Sequence, residues 1–137
     1  MDGQGGGVGR SLVEAIHERY PKTELIAVGT NAAATSNMMR GGTANGATGE
    51  NAVIYNSSRA DIIVGPIGIV MANAMLGEIT PRMAEAVASS EAAIYLIPMS
   101  RCNAQVCGVE NKKLGDYIKE AVDKIAGQDC TDIGGAE

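Results

Sequence analysis

Residues 2–9 read DGQGGGVG, and the position of this glycine-rich stretch directly before a helix indicates the fold. From residue 10 to residue 19, apolar side chains recur at the spacing of one helix face. A glycine loop that leads into a helix lets the backbone approach a ligand and presents free N–H groups at the helix start. The apolar positions of the predicted helix face are Leu12, Val13, Ile16 and Tyr20.

Short apolar strands alternate with helices along the rest of the chain, which indicates βαβ units and a parallel sheet. We therefore predict one α/β domain over residues 1–126, Rossmann-like, with three layers and a mostly parallel sheet. A disordered tail is expected over residues 127–137. The predicted strands are 24–29 (ELIAVG), 61–65 (DIIVG) and 92–98 (AAIYLIP), and the predicted helices are 32–40, 69–76, 81–89 and 114–125. Residues 41–51 read as a loop, 52–55 as either strand or helical turn, and 105–110 as a candidate edge strand.

The amino-acid composition and net charge argue against several classes of function. The 137 residues are 45% hydrophobic but include no Phe and no Trp, so aliphatic side chains must build the core. A net charge of −5 without a basic stripe argues against a nucleic-acid partner. No apolar stretch is long enough for a membrane span and no secretion signal is recognisable, so a cytoplasmic protein is expected. Cys102, Cys107 and Cys130 form no CxxC pair and are interpreted as reduced thiols rather than a metal site.

The glycine loop matches two phosphate-binding patterns and one structural explanation. The spacing Gly3-x-x-x-Gly7-x-Gly9 is that of short-chain dehydrogenases, where the loop contacts the pyrophosphate of a nicotinamide cofactor. Residues 6–11 (GGVGRS) also approximate an ATPase phosphate loop, but Arg10 replaces the usual lysine and Gln4 the first glycine. In the third interpretation, the glycines only form a tight turn.

The predicted ligand contacts come from loops that follow strands, where parallel sheets bind ligands. Backbone N–H groups of residues 5–9 would hold a phosphate, and Thr30 and Asn31 would lie near a ribose. The suspected cofactor is NAD(P) or another nucleotide. The predicted binding residues are Gly3, Gly5, Gly6, Gly7, Val8, Gly9, Arg10, Thr30, Asn31, Gly65, Pro66, Gly68, Arg101 and Asn103.

Two expected features of a dehydrogenase are missing. The acid that usually follows the second strand and binds the ribose is replaced by Thr30 and Asn31. The nearest approach to a catalytic Tyr-x-x-x-Lys pair is Tyr55 with Arg59, and arginine does not easily replace a lysine that must work near its pKa. His17, Cys102, Glu50, Asn51 and Glu78 are interpreted as ordinary surface or core residues. The sequence does not decide whether the protein is an enzyme.

Six motifs, taken in order, resemble an uncharacterised bacterial family, domain of unknown function 3842. The resemblance spans residues 2–125 and implies a Rossmann-like fold, but no activity, substrate or catalytic residue. That family opens with a short apolar strand, whereas Met1 here stands directly before Asp2. Either the true start lies upstream, or the first strand of the sheet is missing or truncated. The motifs are DGQGGGVGRSL, GTNAAAT, GATGEN, DIIVGPIGI, ANAMLGEITP and PMSRCN.

The leading hypothesis is a protein that binds a nucleotide, a dinucleotide or another phosphate-bearing ligand at the glycine loop. The alternative is a non-catalytic module that senses a phosphorylated metabolite or assembles as a homo-oligomer. In that alternative, the small-residue helix predicted over 69–76 would pack between subunits. An ATPase is the third and weakest interpretation, because Arg10 stands in the lysine position.

Overall fold

The computed structural model describes residues 1–98 and 104–127, and within these ranges the chain is an α/β protein. The order of elements alternates between helix and strand, as the apolar pattern predicts. The helices are α1 (Gly7–Arg19), α2 (Ala32–Met39), α3 (Glu50–Ser57), α4 (Pro81–Ala88) and α5 (Leu114–Ala126), with a 3-10 helix at Ile67–Val70. The strands are β1 (Ile26–Gly29), β2 (Asn45–Thr48), β3 (Ile62–Pro66) and β4 (Ala93–Ile97).

The four strands form two short parallel sheets of two strands each. In the first, β1 pairs with β2, from Ile26 opposite Asn45 to Gly29 opposite Thr48. In the second, β3 pairs with β4 over five residues, ending with Pro66 opposite Ile97. The predicted parallel arrangement is therefore confirmed at the level of strand pairs.

The first two residues form hydrogen bonds with both sheets. Asp2 forms a parallel bridge with Gly29: its N–H donates to the Val28 carbonyl at 3.2 Å, and the Thr30 N–H donates to the Asp2 carbonyl at 3.1 Å. On the other side, the amino nitrogen of Met1 donates to the carbonyl of Val64 at 2.8 Å. The glycine loop therefore starts between β1 and β3, at their carboxyl ends.

Three clusters of aliphatic side chains form the core. The largest joins β1 and β3 to α3 and α4, the second joins α1 and α5 to β4, and the third joins α1 and α2 to β1. The helix next to the glycine loop is therefore fixed by two of the clusters. The fully buried positions with the largest side chains are Met38, Ile69, Ile79, Ile97, Val53 and Val87.

Most predicted elements are confirmed within a few residues, but three segments differ: residues 41–51, 69–76 and 105–110. Residues 41–51 were expected to form a loop, and they contain β2 and the start of α3. The sequence NGAT carries little strand propensity, so β2 depends on its pairing with β1 rather than on its own side chains. The ambiguous residues 52–55 lie in α3, and residues 105–110 contain a turn instead of the candidate edge strand.

The helix predicted over residues 69–76 is wrong. The chain leaves the 3-10 helix at Val70 and continues in turns, with Asn73, Met75 and Leu76 in the left-handed region at φ 64°, 57° and 57°. A right-handed helix cannot contain such residues. The small-residue helix that supported packing between subunits is therefore absent. Of the disordered tail predicted over residues 127–137, all but Gly127 lies outside the described ranges.

Candidate functional site

The glycine loop is a tight turn that leads directly into α1. The N–H of Gly6 donates to the carbonyl of Gly3 at 2.9 Å, and Gln4 lies in the left-handed region at φ 50°. Gly6 is the residue before α1, with φ 72°. A Cβ at Gly6 would lie 2.6 Å from the carbonyl oxygen of Ala34 in α2. Backbone conformation and close packing therefore both require glycine at this position.

Packing also explains the glycines at positions 3 and 9, which are buried like Gly6. A Cβ at Gly3 would lie 2.7 Å from the Met75 sulfur and 2.7 Å from the Thr30 hydroxyl. At Gly9 it would overlap the side chain of Met38. Every third residue of the loop is thus small because another part of the chain lies against it.

Gly5 and Gly7 differ from their neighbours in the loop. Both are exposed, neither has a positive φ, and a Cβ at either position would meet no atom of the described residues within 4 Å. Among the described residues, the N–H groups of Gly5, Gly7 and Val8 have no acceptor. The outer face of the loop therefore offers open space, unpaired donors and the positive end of the α1 dipole.

Asp2 fixes the inner face of the same loop. Its Oδ1 accepts from the N–H of Gly3 and its Oδ2 from the N–H of Gly9, both at 2.8 Å, and the residue is only 4% exposed. Burial raises the pKa of Asp2, and the hydrogen bonds from Gly9 and Gly3 oppose that rise. The Gly9 N–H is therefore already paired, which leaves the donors of residues 5, 7 and 8 facing outward.

The side chain of Arg10 extends toward α2. Its Nε donates to Glu14 Oε1 at 2.9 Å, and its Nη1 donates to Asn37 Oδ1 at 3.1 Å. The amide of Asn37 in turn donates to the Gly5 carbonyl at 2.9 Å. Arg10 is therefore part of a polar contact that supports the loop from the side of α2.

The predicted ribose residues, Thr30 and Asn31, lie beside the glycine loop. Asn31 Oδ1 accepts from the N–H of Ala34 at 2.8 Å and caps α2, while its amide donates to the Gln4 carbonyl at 3.0 Å. Both side chains also donate to Glu78 Oε1: the Thr30 hydroxyl at 2.8 Å and the Asn31 amide at 2.6 Å. The end of β1 thus meets both the glycine loop and a carboxylate.

Glu78 is the residue that sequence reasoning missed. Its Oε1 accepts a third hydrogen bond, from the N–H of Gln4 at 3.1 Å. Partial burial raises its pKa, but the hydrogen bonds from Asn31, Thr30 and Gln4 together outweigh burial and hold the pKa of Glu78 below 4.5. It was interpreted as an ordinary solvated acid; the available signal was its place in a loop after β3, at the same end of the strands as the glycine loop.

Turns position Glu78, and we name residues 71–79 the strap. Within the strap, the N–H of Asn73 donates to the carbonyl of Ile79 at 2.7 Å, and the N–H of Ile79 donates to the carbonyl of Ala74 at 3.1 Å. Ile79 is fully buried in the largest core cluster, next to Glu78 in sequence. Leu76, in contrast, is 99% exposed at the tip of the strap.

The predicted residues Gly65, Pro66 and Gly68 lie at the end of β3 and in the 3-10 helix that follows it. A Cβ at Gly65 would overlap the carbonyl oxygen of Met1, and a Cβ at Gly68 would lie 3.4 Å from Ala74. Pro66 ends β3 opposite Ile97. Gly65 thus lies against the first residue of the chain, and Gly68 lies against the strap. The predicted Arg101 and Asn103, and also Cys102, lie outside the described residues.

The remaining polar candidates lie in other contacts. Tyr55 and Arg59 stack on each other, with the guanidinium 4.2 Å from the ring centroid. Glu50 accepts from the Thr80 hydroxyl at 2.6 Å and links α3 to α4. The described part of the chain contains no group of three or more His, Cys, Asp or Glu that could hold a metal ion, and no helix there is long and apolar enough to cross a bilayer.

These features define an α/β protein of parallel strand pairs with a glycine loop and two polar loops at one end of its strands. The profile of the family described as Domain of unknown function (DUF3842) matches residues 1–129, and the chain belongs to that family. Neither a curated protein nor a solved structure matches the chain.

Proposed function

We propose that the protein binds a nucleotide, a dinucleotide or another phosphate-bearing ligand at the outer face of its glycine loop. The observation that carries the proposal is the difference between the glycines. Packing or conformation accounts for Gly3, Gly6 and Gly9, but neither accounts for Gly5 and Gly7. As far as the described residues go, side chains at those two positions would obstruct a molecule that approaches from outside and no part of the fold.

The donors on that face fit a phosphate group. The N–H groups of Gly5, Gly7 and Val8 have no acceptor among the described residues, and they lie at the N-terminus of a 13-residue helix. Unpaired N–H groups and the helix dipole both favour an anion there. On the inner face of the loop, the Asp2 carboxylate accepts hydrogen bonds from the N–H groups of Gly3 and Gly9. These bonds hold the loop in shape without a ligand.

The position of the loop supports the same proposal. We infer that Met1 and Asp2 act as a short central strand that joins the two strand pairs into one Rossmann-like sheet, in the order β2, β1, residues 1–2, β3, β4. The glycine loop would then follow the central strand, which is where open parallel sheets of this type bind phosphates. Thr30 and Asn31 would lie near the ribose of NAD(P) or of another nucleotide.

The test is a thermal-shift screen of the full chain with pyrophosphate, ADP, ATP, NAD and NADP as probes. A probe at 100 times its dissociation constant stabilises the folded state by about 2.7 kcal/mol, which is visible as a higher melting temperature. We expect Gly5→Ala and Gly7→Ala to melt like the wild type without probe, because the added methyl groups meet no atom within 4 Å. Both variants should lose most of the probe-induced shift.

Gly115→Ala is the matched control. Gly115 is also an exposed glycine in the first turn of a helix, α5, and its Cβ would also meet nothing within 4 Å. This variant should keep the full shift. Absence of a shift with every probe, or equal shifts in Gly7→Ala and Gly115→Ala, would refute the proposal.

A further inference from the structure

Glu78 presents one carboxylate oxygen to the protein and leaves the other free. Its Oε1 accepts from the Gln4 N–H, the Thr30 hydroxyl and the Asn31 amide. Its Oε2 has no hydrogen-bond partner among the described residues, and the side chain is only partly buried. An acceptor pair is thus held in a fixed orientation, with one oxygen open, directly beside the glycine loop.

This is the place at which a dinucleotide site needs an acid. In such sites a carboxylate at the end of the strand after the glycine-loop helix accepts hydrogen bonds from ribose hydroxyls. The strand after α1 is β1, and the residues at its end, Thr30 and Asn31, carry no charge. Their side chains instead hold the carboxylate of Glu78, which arrives from the strap 48 residues after Thr30.

We propose that Glu78 is a specificity-determining residue that accepts hydrogen bonds from the vicinal hydroxyls of a ribose. The site would then select nucleotides whose ribose carries both hydroxyls free, and it would reject a phosphate on the 2′ oxygen. This inference rests on the proposed function, because it assigns the second half of the ligand bound at Gly5 and Gly7.

Charge and rigidity both favour this role. The three hydrogen bonds lower the pKa of Glu78 and so favour its carboxylate form, and an ionised acceptor forms the stronger hydrogen bonds to hydroxyl groups. The same charge repels a 2′-phosphate, which is the expected basis of rejection. Buried Ile79 and the turn at Gly77 fix the strap, so little conformational freedom remains to be lost when a ligand binds.

The experiment is calorimetry of the full chain with ADP, 2′-deoxy-ADP and adenosine 2′,5′-bisphosphate, together with pyrophosphate. The variants are Glu78→Gln and the control Glu91→Gln, an exposed acid outside the strap and the glycine loop. Loss of a hydrogen bond to a charged group costs about 1.5–3 kcal/mol, so the wild type should prefer ADP to 2′-deoxy-ADP by about tenfold or more. In Glu78→Gln this preference should fall to between about twofold and tenfold, the range that hydrogen bonds between neutral groups span. Discrimination against the 2′-phosphate should fall with it.

The results separate the two proposals. If pyrophosphate and ADP fail to bind the wild type, the proposed function fails. If they bind, and the wild type holds 2′-deoxy-ADP as tightly as ADP, the role of Glu78 is overturned whether or not any variant folds. An increase in pyrophosphate affinity of about tenfold in Glu78→Gln would also overturn it, because the carboxylate would then be a competitor for the phosphate position. Glu91→Gln should keep the wild-type preferences.

Discussion

The glycine loop contains two kinds of glycine within seven residues, and the comparison between them separates folding from binding. Gly3, Gly6 and Gly9 are buried and lie against the strap, α2 or Asp2. Gly5 and Gly7 are exposed, and a Cβ at either position would touch none of the residues that the structure describes. Packing within the protein therefore explains glycine at three positions. At the other two, the explanation we propose is contact with a bound ligand.

The largest expected effect is on folding, from Gly6→Ala. The substitution forces a Cβ to within 2.6 Å of the Ala34 carbonyl oxygen at a residue with φ 72°. Left-handed strain and overpacking together should lower the free energy of unfolding by about 2–4 kcal/mol. Urea denaturation measures the change, and Gly7→Ala, one residue further on, serves as the control. Equal stabilities of the two variants would contradict the claim that folding requires glycine at position 6 but not at position 7.

A smaller loss of stability is expected for Asp2→Asn. The amide keeps one acceptor for the two N–H groups that Asp2 now binds, so either Gly3 or Gly9 loses its partner in a buried position. An unsatisfied buried donor costs about 1–3 kcal/mol. Urea denaturation again provides the measurement. Unchanged stability would mean that the carboxylate does not hold the inner face of the loop.

For Gly7→Ala we expect weaker ligand binding with almost no change in stability. The methyl group meets no atom of the described chain, so the free energy of unfolding should stay within about 1 kcal/mol of wild type, the range of helix propensities. Affinity for pyrophosphate should fall by about tenfold or more, because the methyl group excludes the phosphate from an N–H donor. Wild-type affinity in this variant would show that the open face is not the binding surface.

The smallest expected effect is the pH dependence that Glu78 contributes to stability. Its pKa is lowered in the folded protein, so the stability it contributes is present above pH 4.5 and is lost as pH falls through the folded pKa. Because the side chain is partly solvated, the contribution should be below about 1 kcal/mol. The measurement is the difference in unfolding free energy between wild type and Glu78→Gln from pH 7 to pH 3. We expect the stability advantage of the wild type over Glu78→Gln to shrink as pH falls. An advantage that grows as pH falls would contradict the lowered pKa of Glu78.

Regular apolar segments were predictable, and segments defined by their neighbours were not. β3 and β4 are continuous apolar runs, and α5 has a clear apolar face, so local pattern predicts them. β2 reads NGAT and is a strand because β1 pairs with it and the Thr35 and Thr48 hydroxyls form a hydrogen bond at 2.8 Å. Residues 69–76 were predicted as a helix because their small residues fit one. Two backbone hydrogen bonds, from Asn73 to Ile79 and from Ile79 to Ala74, and the turns between them instead fold this segment back.

The sequence was sufficient to predict the part of the candidate site that the glycine loop and the end of β1 form, but not the contribution of Glu78. Spacing and composition indicate Gly5, Gly7, Thr30 and Asn31, which the structure brings to the same end of the strands. For Glu78 the sequence offers only its place in the loop after β3, because its proximity to Thr30 follows from the path of the strap through space. An acid at the expected sequence position was absent, and the fold supplies one from a distant loop instead.

The measurement that tests the central claim most directly is calorimetric titration of wild type, Gly7→Ala and Gly115→Ala with pyrophosphate. It compares a methyl group on the open face of the glycine loop with the same change in the first turn of α5, where both positions are sterically free. We expect saturable binding to wild type and Gly115→Ala, and affinity about tenfold weaker or worse in a fully folded Gly7→Ala. Equal binding by all three proteins, or binding by none, would contradict this expectation.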